Sequence, residues 1–390
     1  MSADGNVDDD LRIRASLPTI EYLQKRGCKI VIISHLGRPE GRDATFTLEP
    51  VAQRLAHLLK QDVRFVDDCI GDKVYQAVKR APKSSITVLE NLRFYTEEEA
   101  DDHEFAKKLI QATGARYFIQ DGFGVVHRAH ASTHAITLCV PSVAGLLLEK
   151  EYVTITEAIH SPQRPLVAVM GGAKVSDKIP LIECFVEMAD TIIVGGALSN
   201  TFLAHAGINM GTSLVEPDQF QEIDRIYQVV KDKGVKELDD FIVLPVDAAI
   251  AHSIESADTR RIVALQDIDD NDMLDIGDAS IKELLEIVKT AGTVIWNGTL
   301  GYAEKPAFAK GSAALADLLA STPNITSIIG GGDTADFVLK WDSKGGKSFT
   351  HVSTGGGASL ELMSGNVMPG IESLLDAPRR KEYTNSNNHK

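Results

Sequence analysis

Cysteine is scarce in this chain: Cys28, Cys69, Cys139 and Cys184 are its four thiols, far apart and without a CxxC spacing. That excludes a disulfide framework and a zinc knuckle, and it reads as reduced, mostly buried thiols of a cytoplasmic protein. Positive charge is short as well. The net charge is -15 and the pI about 5.2. Such a field repels nucleic acid and anionic membranes alike. A small anionic ligand, which feels only a local patch, is not excluded. Long apolar runs are also lacking. The longest, "AITLCVPSVAGLLL", is interrupted by Pro141 and is shorter than the roughly 20 residues that span a bilayer. The opening "MSADGNVDDDL" is acidic and has no apolar segment of a secretory signal. No repeat of roughly 20–50 residues is visible, which argues against solenoids and propellers. These absences predict a soluble protein with neither a nucleic-acid nor a membrane partner.

What is present is ordinary globular composition, 44% apolar and 24% charged. At 390 residues the chain exceeds the roughly 250–300 at which single cores stop growing, so two domains are expected. Short β-branched runs alternate with helix-length amphipathic segments. The runs are "KIVIIS", "SITVLE", "RYFIQD", "PLVAVM", "DTIIVG", "DFIVLP", "TVIW" and "ITSIIG". Continuous apolar runs of that length predict parallel strands buried on both faces, hence an α/β fold. Helices are expected at 15–27, 49–60, 103–113, 177–188, 218–234, 279–290 and 310–320. The segment "LEKEYVTITEAIHSPQRP" reads as a polar-faced helix ending in a turn. The division that follows is a first domain over 1–148, a connecting helix over 149–164, a second domain over 165–370 and a polar tail over 371–390.

The unusual residues sit at the carboxyl ends of these runs. "SHLGRPEG", "ENLRF", "DGFGVVHRAH", "GGAKVSDK", "GGALSNTF", "WNGTLGYAE" and "GGGDTADF" each follow a strand. Ligands bind at that edge of an open parallel sheet, so two sites facing one cleft are expected. In "GGAKVSDK" the glycines allow close backbone approach, and Lys174 and Lys178 share a helical face. The plain alternative is a tight turn with Asp177 starting a helix and solvated lysines. Asp333 in "GGGDT" is either an N-cap or a Mg²⁺ ligand against phosphate oxygens. With "STGGGASLEL", glycine-rich helix starts recur through the second half, which favours a phosphate-bearing ligand over mere turns.

The first half instead gathers Arg12, His35, Arg38, Arg93, Arg128 and His130 near strand ends. Arginine's planar fork suits carboxylate and phosphate. Ion pairing with the abundant Asp and Glu would account for any one of these arginines, but not for several together. His127, His130 and His134 have a spacing that would align them on a helix as metal ligands. Arg128 between them argues instead for donors to an anion.

Together "SHLGRP", "LENLRF", "HRAH", "GGAKVSDKI", "LPVD", "WNG", "GGGDT" and "HVSTGGGASLELM" resemble, in order, the motifs of the phosphoglycerate kinase family, from about Arg12 to Gly370. The resemblance implies two Rossmann-like three-layer domains with parallel sheets facing a cleft, joined by a helical hinge. It implies phosphoryl transfer between 1,3-bisphosphoglycerate and ADP, giving 3-phosphoglycerate and ATP, in line after domain closure, by a cytoplasmic monomer with Mg²⁺. Arg12, His35, Arg38, Arg93 and Arg128 would bind the phosphoglycerate. Gly172, Lys174, Lys178, Gly195, Gly196, Gly277, Asn297, Glu304, Gly331, Gly332, Asp333 and Thr334 would bind nucleotide. Arg12, Lys174, Gly332 and Gly356 would be catalytic, and Asp333 would hold the metal.

The resemblance has departures. The family opens with a strand R-x-D-x-N-x-P whose Asp and Asn hydrogen-bond substrate. This chain begins at the segment after it, and Asp4 and Asn6 do not replace the motif. An incomplete start, a fragment and an altered paralogue are all open. The expectation is that neighbouring strands then keep unpaired edges. Gln120, Gly122, Val125 and Val126 replace the residues usual before "HRAH". Thr299 and Ala303 stand for Pro and an aromatic, and Asp278 for Pro near the expected base. A non-catalytic nucleotide-binding relative is therefore the alternative. A Rossmann dehydrogenase is disfavoured, since no GxGxxG opens a helix after a strand.

Overall fold

The computed structural model describes residues 7, 9–176, 178–235 and 237–377. Asp4, Asn6, Asp177 and the end of the expected tail, 378–390, lie outside the described residues. The chain forms two compact units. One runs up to Tyr152 and includes the chain from Val367 onward; the other is Val153–Asn366.

In the first unit the strands are β1 (Ile30–Ile32), β2 (Val63–Val66), β3 (Ile86–Leu89), β4 (Phe118–Gln120) and β5 (Ser142–Ala144). β1, β3 and β2 form a parallel sheet in that order, and β4 pairs with β5 in parallel. Among the described residues no ladder joins β1 to β4, so each keeps one edge without strand partners. Every residue of β3 is buried, as a central parallel strand requires. Helix Leu11–Lys25 turns Ile13, Leu17, Ile20 and Leu23 toward Ile30, Leu48, Leu55 and Val88. That spacing presents one apolar stripe and leaves Arg12 on the exposed face.

The second unit contains β6 (Leu166–Met170), β7 (Thr191–Val194), β8 (Ile242–Val243), β9 (Asp247–Ala251), β10 (Arg261–Ala264), β11 (Asp272–Ile276), β12 (Thr293–Asn297), β13 (Thr326–Gly330) and β14 (His351–Val352). Its main sheet is parallel, ordered β14-β13-β12-β6-β7-β8. All eight expected strands occur. Five others and β9 were not foreseen. β9 pairs antiparallel with β10 and β11, and its core is "DAAIA". Alanine favours helix over strand in isolation; here complete burial of Ala248 to Ala251 overrides it.

Helix Leu146–His160 occupies the expected connecting segment but starts earlier. The chain end also differs from expectation. Residues 371–376, expected in a polar tail, lie in helix Pro369–Asp376, and the chain from Val367, whose residues to 370 were expected in the second domain, belongs to the first unit. Met368 and Ile371 are buried there, and the Gly370 N–H donates to the Val126 carbonyl at 2.9 Å. A Cβ at Gly370 would lie 3.0 Å from the Val126 backbone, so glycine lets the helix dock.

Trp296 in β12 is fully buried, and its Nε1–H donates to the Gly298 carbonyl at 2.7 Å. Its ring meets Phe337 edge-on at 6.3 Å. Trp296→Ala should therefore cost about 3–5 kcal/mol of stability. Urea unfolding followed by far-UV circular dichroism checks this, and a loss below about 1 kcal/mol would contradict the packing described.

Candidate functional site

In the first unit the cations converge on the carboxyl ends of β1 and β3. Asn91 organises the turn after β3. Its Oδ1 accepts the Arg93 N–H at 3.0 Å, and its Nδ2 donates to the Leu36 and Phe46 carbonyls at 2.7 and 2.9 Å. That ties the "SHLGRP" loop to the "ENLRF" turn. Arg93 is 7% exposed, donates from Nη1 to the Gly37 carbonyl at 2.6 Å, and lies with Nε 3.0 Å from Glu99. Its Nη2 is buried without a partner among the described residues, a donor fit for an anion.

His35 stands where these charges meet. Burial, then Arg93, His130, Arg128 and Arg12, pull its pKa down to about 4. Arg38 and Arg128 in turn act on Arg93. The residues expected to hold the phosphoglycerate thus share one electropositive patch in a chain of net charge -15.

Residues 127–134 are turn and bend, so the three histidines do not align on a helix. Their segment is instead clamped by an acidic turn that sequence reading missed. Buried Glu98 accepts the Ser132 N–H at 3.1 Å and the Ser132 hydroxyl at 2.5 Å, and its carbonyl accepts the Ala131 N–H at 2.9 Å. Burial pushes the Glu98 carboxyl above its ordinary range, opposed by the Ser132 bonds. Asp101 accepts the Ala135 N–H at 3.0 Å and lies 2.6 Å from His134 Nδ1. His127 Nε2 accepts the Arg128 Nε–H at 3.0 Å. The histidines hold their loop, and His130, buried beside Glu98, faces the cationic patch.

In the second unit glycines bring three strand ends together. The Gly171 N–H donates to the Asn297 carbonyl at 2.8 Å, Gly172 to Thr299 at 3.0 Å, Gly195 to Met170 at 2.8 Å and Gly196 to Leu300 at 3.0 Å. A Cβ on Gly298, at φ +96°, would fall 2.1 Å from the Gly171 carbonyl. One on Gly196, at φ +62°, would fall 2.6 Å from the Thr299 carbonyl. No side chain fits there. Thr334 Oγ1 accepts the Gly298 N–H at 2.7 Å, which fastens the "GGGDT" helix start to the same edge.

The Lys178 ammonium donates to Asn297 Oδ1. The other end of that amide, Nδ2, is buried without a partner among the described residues and faces Gly331. An orphaned donor beside an ammonium and a glycine-lined edge suits phosphate oxygens. Gly332 and Asp333 are exposed at the start of helix Gly332–Trp341, and Gly356 precedes helix Gly357–Met363. Lys174 is also exposed. Among the described residues no three His, Cys, Asp or Glu gather as a metal cage. Asp333 is a single exposed carboxylate, the kind of ligand Mg²⁺ takes when phosphate oxygens and waters complete its shell.

Gly277 and Glu304 lie farther along this edge, near the end of β11. The Tyr302 N–H donates to the Leu274 carbonyl at 2.8 Å, which places the Glu304 turn beside that strand. Helix Asp278–Lys289 is capped from a distance: Asp247 accepts the N–H of Ala279 and Ser280 at 3.0 and 2.8 Å. A Cβ on Gly277 would lie 2.2 Å from that carboxylate.

The model of the family described as phosphoglycerate kinase matches residues 1–366. The phosphoglycerate kinase of Borrelia garinii subsp. bavariensis is 43% identical over 373 residues, 95% of this chain and 92% of the relative. That of a Nostoc species is 45% identical over 377 residues, 96% and 92% of the two chains. The solved phosphoglycerate kinase of Coxiella burnetii superposes with a TM-score of 0.83 at 32% identity, covering 96% of this chain and 93% of that one. The Pyrococcus horikoshii structure gives 0.82 at 29%, covering 97% and 94%. These likenesses do not favour the reading of a non-catalytic relative.

Unfolded histidine takes up a proton near pH 6.5, whereas His35 in the folded chain does so only near 4. Between those values the unfolded state holds the extra proton, so stability falls as pH falls. Thermal melts from pH 7 to 5 should show a smaller loss for His35→Gln than for the unaltered protein; equal losses would mean His35 is not held neutral.

Proposed function

The chain belongs to the phosphoglycerate kinase family, and from that premise we propose how its own residues divide the work of reversible phosphoryl transfer between 1,3-bisphosphoglycerate and ADP. The observation that carries the reading is the convergence of Arg12, Arg93, Arg128 and His130 on His35. Arg12, His35, Arg38, Arg93 and Arg128 hold the phosphoglycerate, with the unpaired Arg93 Nη2 directed to one of its oxygens. Glu98 and Asp101 keep the loop of Arg128 in place.

Gly172, Gly195 and Gly196 give the nucleotide close access to backbone. Lys178 and the free Asn297 Nδ2 bind phosphate oxygens, as do the helix starts at Gly331, Gly332 and Gly356. Thr334 secures that turn, while Gly277 borders the base and Glu304 takes the ribose hydroxyls. Asp333 would hold a magnesium ion brought with the nucleotide, and that ion would supply charge neutralisation.

An ADP oxygen attacks the acyl phosphorus in line, and the bond from phosphorus to the carboxyl oxygen breaks. The products are 3-phosphoglycerate and ATP, with no phosphoenzyme. Arg12 and Lys174 balance the charge spread over the transferring group, together with the N–H groups of Gly332 and Gly356. Positioning and electrostatics are what such a transfer needs. The reading includes a cytoplasmic monomer without a nucleic-acid partner. Among the described residues no helix is long and apolar enough to cross a membrane.

The test is a coupled assay of the full chain with ADP, Mg²⁺ and 1,3-bisphosphoglycerate. ATP formation is expected; a folded chain that binds Mg-ADP without turnover would overturn the reading. Lys174→Ala should lower kcat by about 100-fold or more, within the range seen for lost electrostatic donors, with the Kd for ADP changed less than about threefold. Matched losses in both would remove Lys174 from the transition state.

A further inference from the structure

Lys174 stands on a turn whose shape is set from distant sequence. The Glu216 carboxylate reaches across to it: Oε2 accepts the Val175 N–H at 2.5 Å and the Ser176 N–H at 3.3 Å, and Oε1 accepts the Ser176 hydroxyl at 2.9 Å. Glu216 is itself anchored, its N–H donating to Thr201 Oγ1 at 3.2 Å. Thr201 lies on helix Gly196–His205, whose first residue belongs to the glycine edge described above. Val175 is therefore held three ways. Its N–H is bound by Glu216, its side chain is fully buried, and its carbonyl accepts the N–H of Lys178 and Ile179 at 2.8 and 3.0 Å. Lys174, one residue before, is exposed.

A carboxylate binding successive backbone N–H groups makes charge-assisted bonds, which are stronger than neutral ones. They hold backbone geometry, whereas a flexible lysine by itself holds none. We propose that Glu216 is a positioning residue for the transfer: by fixing Val175 and Ser176 it sets the point from which Lys174 reaches the transferring phosphoryl group. The inference rests on the role given to Lys174 above. Displacing a catalytic group by about 1 Å can cost about 100-fold in rate, so the clamp acts on kcat. Nucleotide held by Lys178, Asn297 and the other glycine turns is left with its affinity.

The experiment places Glu216→Ala and Glu216→Gln in the full chain and, separately, in the Lys174→Ala background. In the otherwise unaltered chain, Glu216→Ala should lower kcat by about 10- to 100-fold and leave KM for ADP within about threefold. Glu216→Gln keeps an oxygen for the Val175 N–H and should stay within about threefold of the starting kcat. In the Lys174→Ala background, Glu216→Ala should change kcat by less than about twofold, because the two side chains act as one unit. Losses that multiply in both backgrounds would show a general structural role and overturn the proposal. So would an unchanged kcat in Glu216→Ala, or a glutamine variant as impaired as the alanine one.

A second readout needs no turnover. Amide hydrogen exchange at Val175 and Ser176 in ligand-free protein should quicken by about tenfold or more in Glu216→Ala, and unchanged exchange would overturn the clamp itself. Absence of turnover in the unaltered chain would instead strike the proposed function, so the two failures stay distinguishable.

Discussion

Contact between the backbones of β6, β7 and β12 at their carboxyl ends is the constraint on which the second unit depends. Gly171, Gly172, Gly195 and Gly196 donate hydrogen bonds of 2.8 to 3.0 Å there, and at Gly171, Gly196 and Gly298 neighbouring backbone comes so close that no volume is left for a Cβ. The N–H groups of these glycines are bonded within the fold, while one buried amide donor at this edge, Asn297 Nδ2, is left without a partner among the described residues. The apolar strands behind it, with Trp296 packed among them, hold that edge rigid.

The first unit solves the opposite problem, which is to keep like charges together. Arg12, Arg93 and Arg128 would separate in water, and the fold holds them near His35 through neutral and acidic residues behind the patch. Asn91 locks two loops with three hydrogen bonds, while Glu98 and Asp101 fasten the third. The cost of the arrangement appears in the neutral state of His35. An anion placed at this patch would relieve that repulsion.

Much of this was legible in the sequence. "PLVAVM", "TVIW" and "SITVLE" are continuous apolar runs, and a strand buried on both faces needs nothing else to be recognised. The motifs after them could be placed on the ligand-binding edge for the same reason. β9 was not legible because its alanines favour strand only once buried. How the histidines of 127–134 are held was not legible, because spacing alone does not report the acidic turn at 98–101 that fastens their loop. Residues 371–376 were taken for tail and Met368 for the second domain because Met368 and Ile371 gain their burial only from the first unit.

The sequence by itself determined the alternation of buried strands and amphipathic helices and the strand ends at which the glycine and charge motifs gather, because each of these follows from local periodicity and side-chain chemistry. Only the tertiary structure decided how those residues are held. Glu216 clamps Val175, Asp247 caps the helix after Gly277, and Glu98 pins Ser132, each across more than thirty positions of chain. A hydrogen bond acts over about 3 Å of space whatever the chain length between its partners, and no local pattern encodes that proximity.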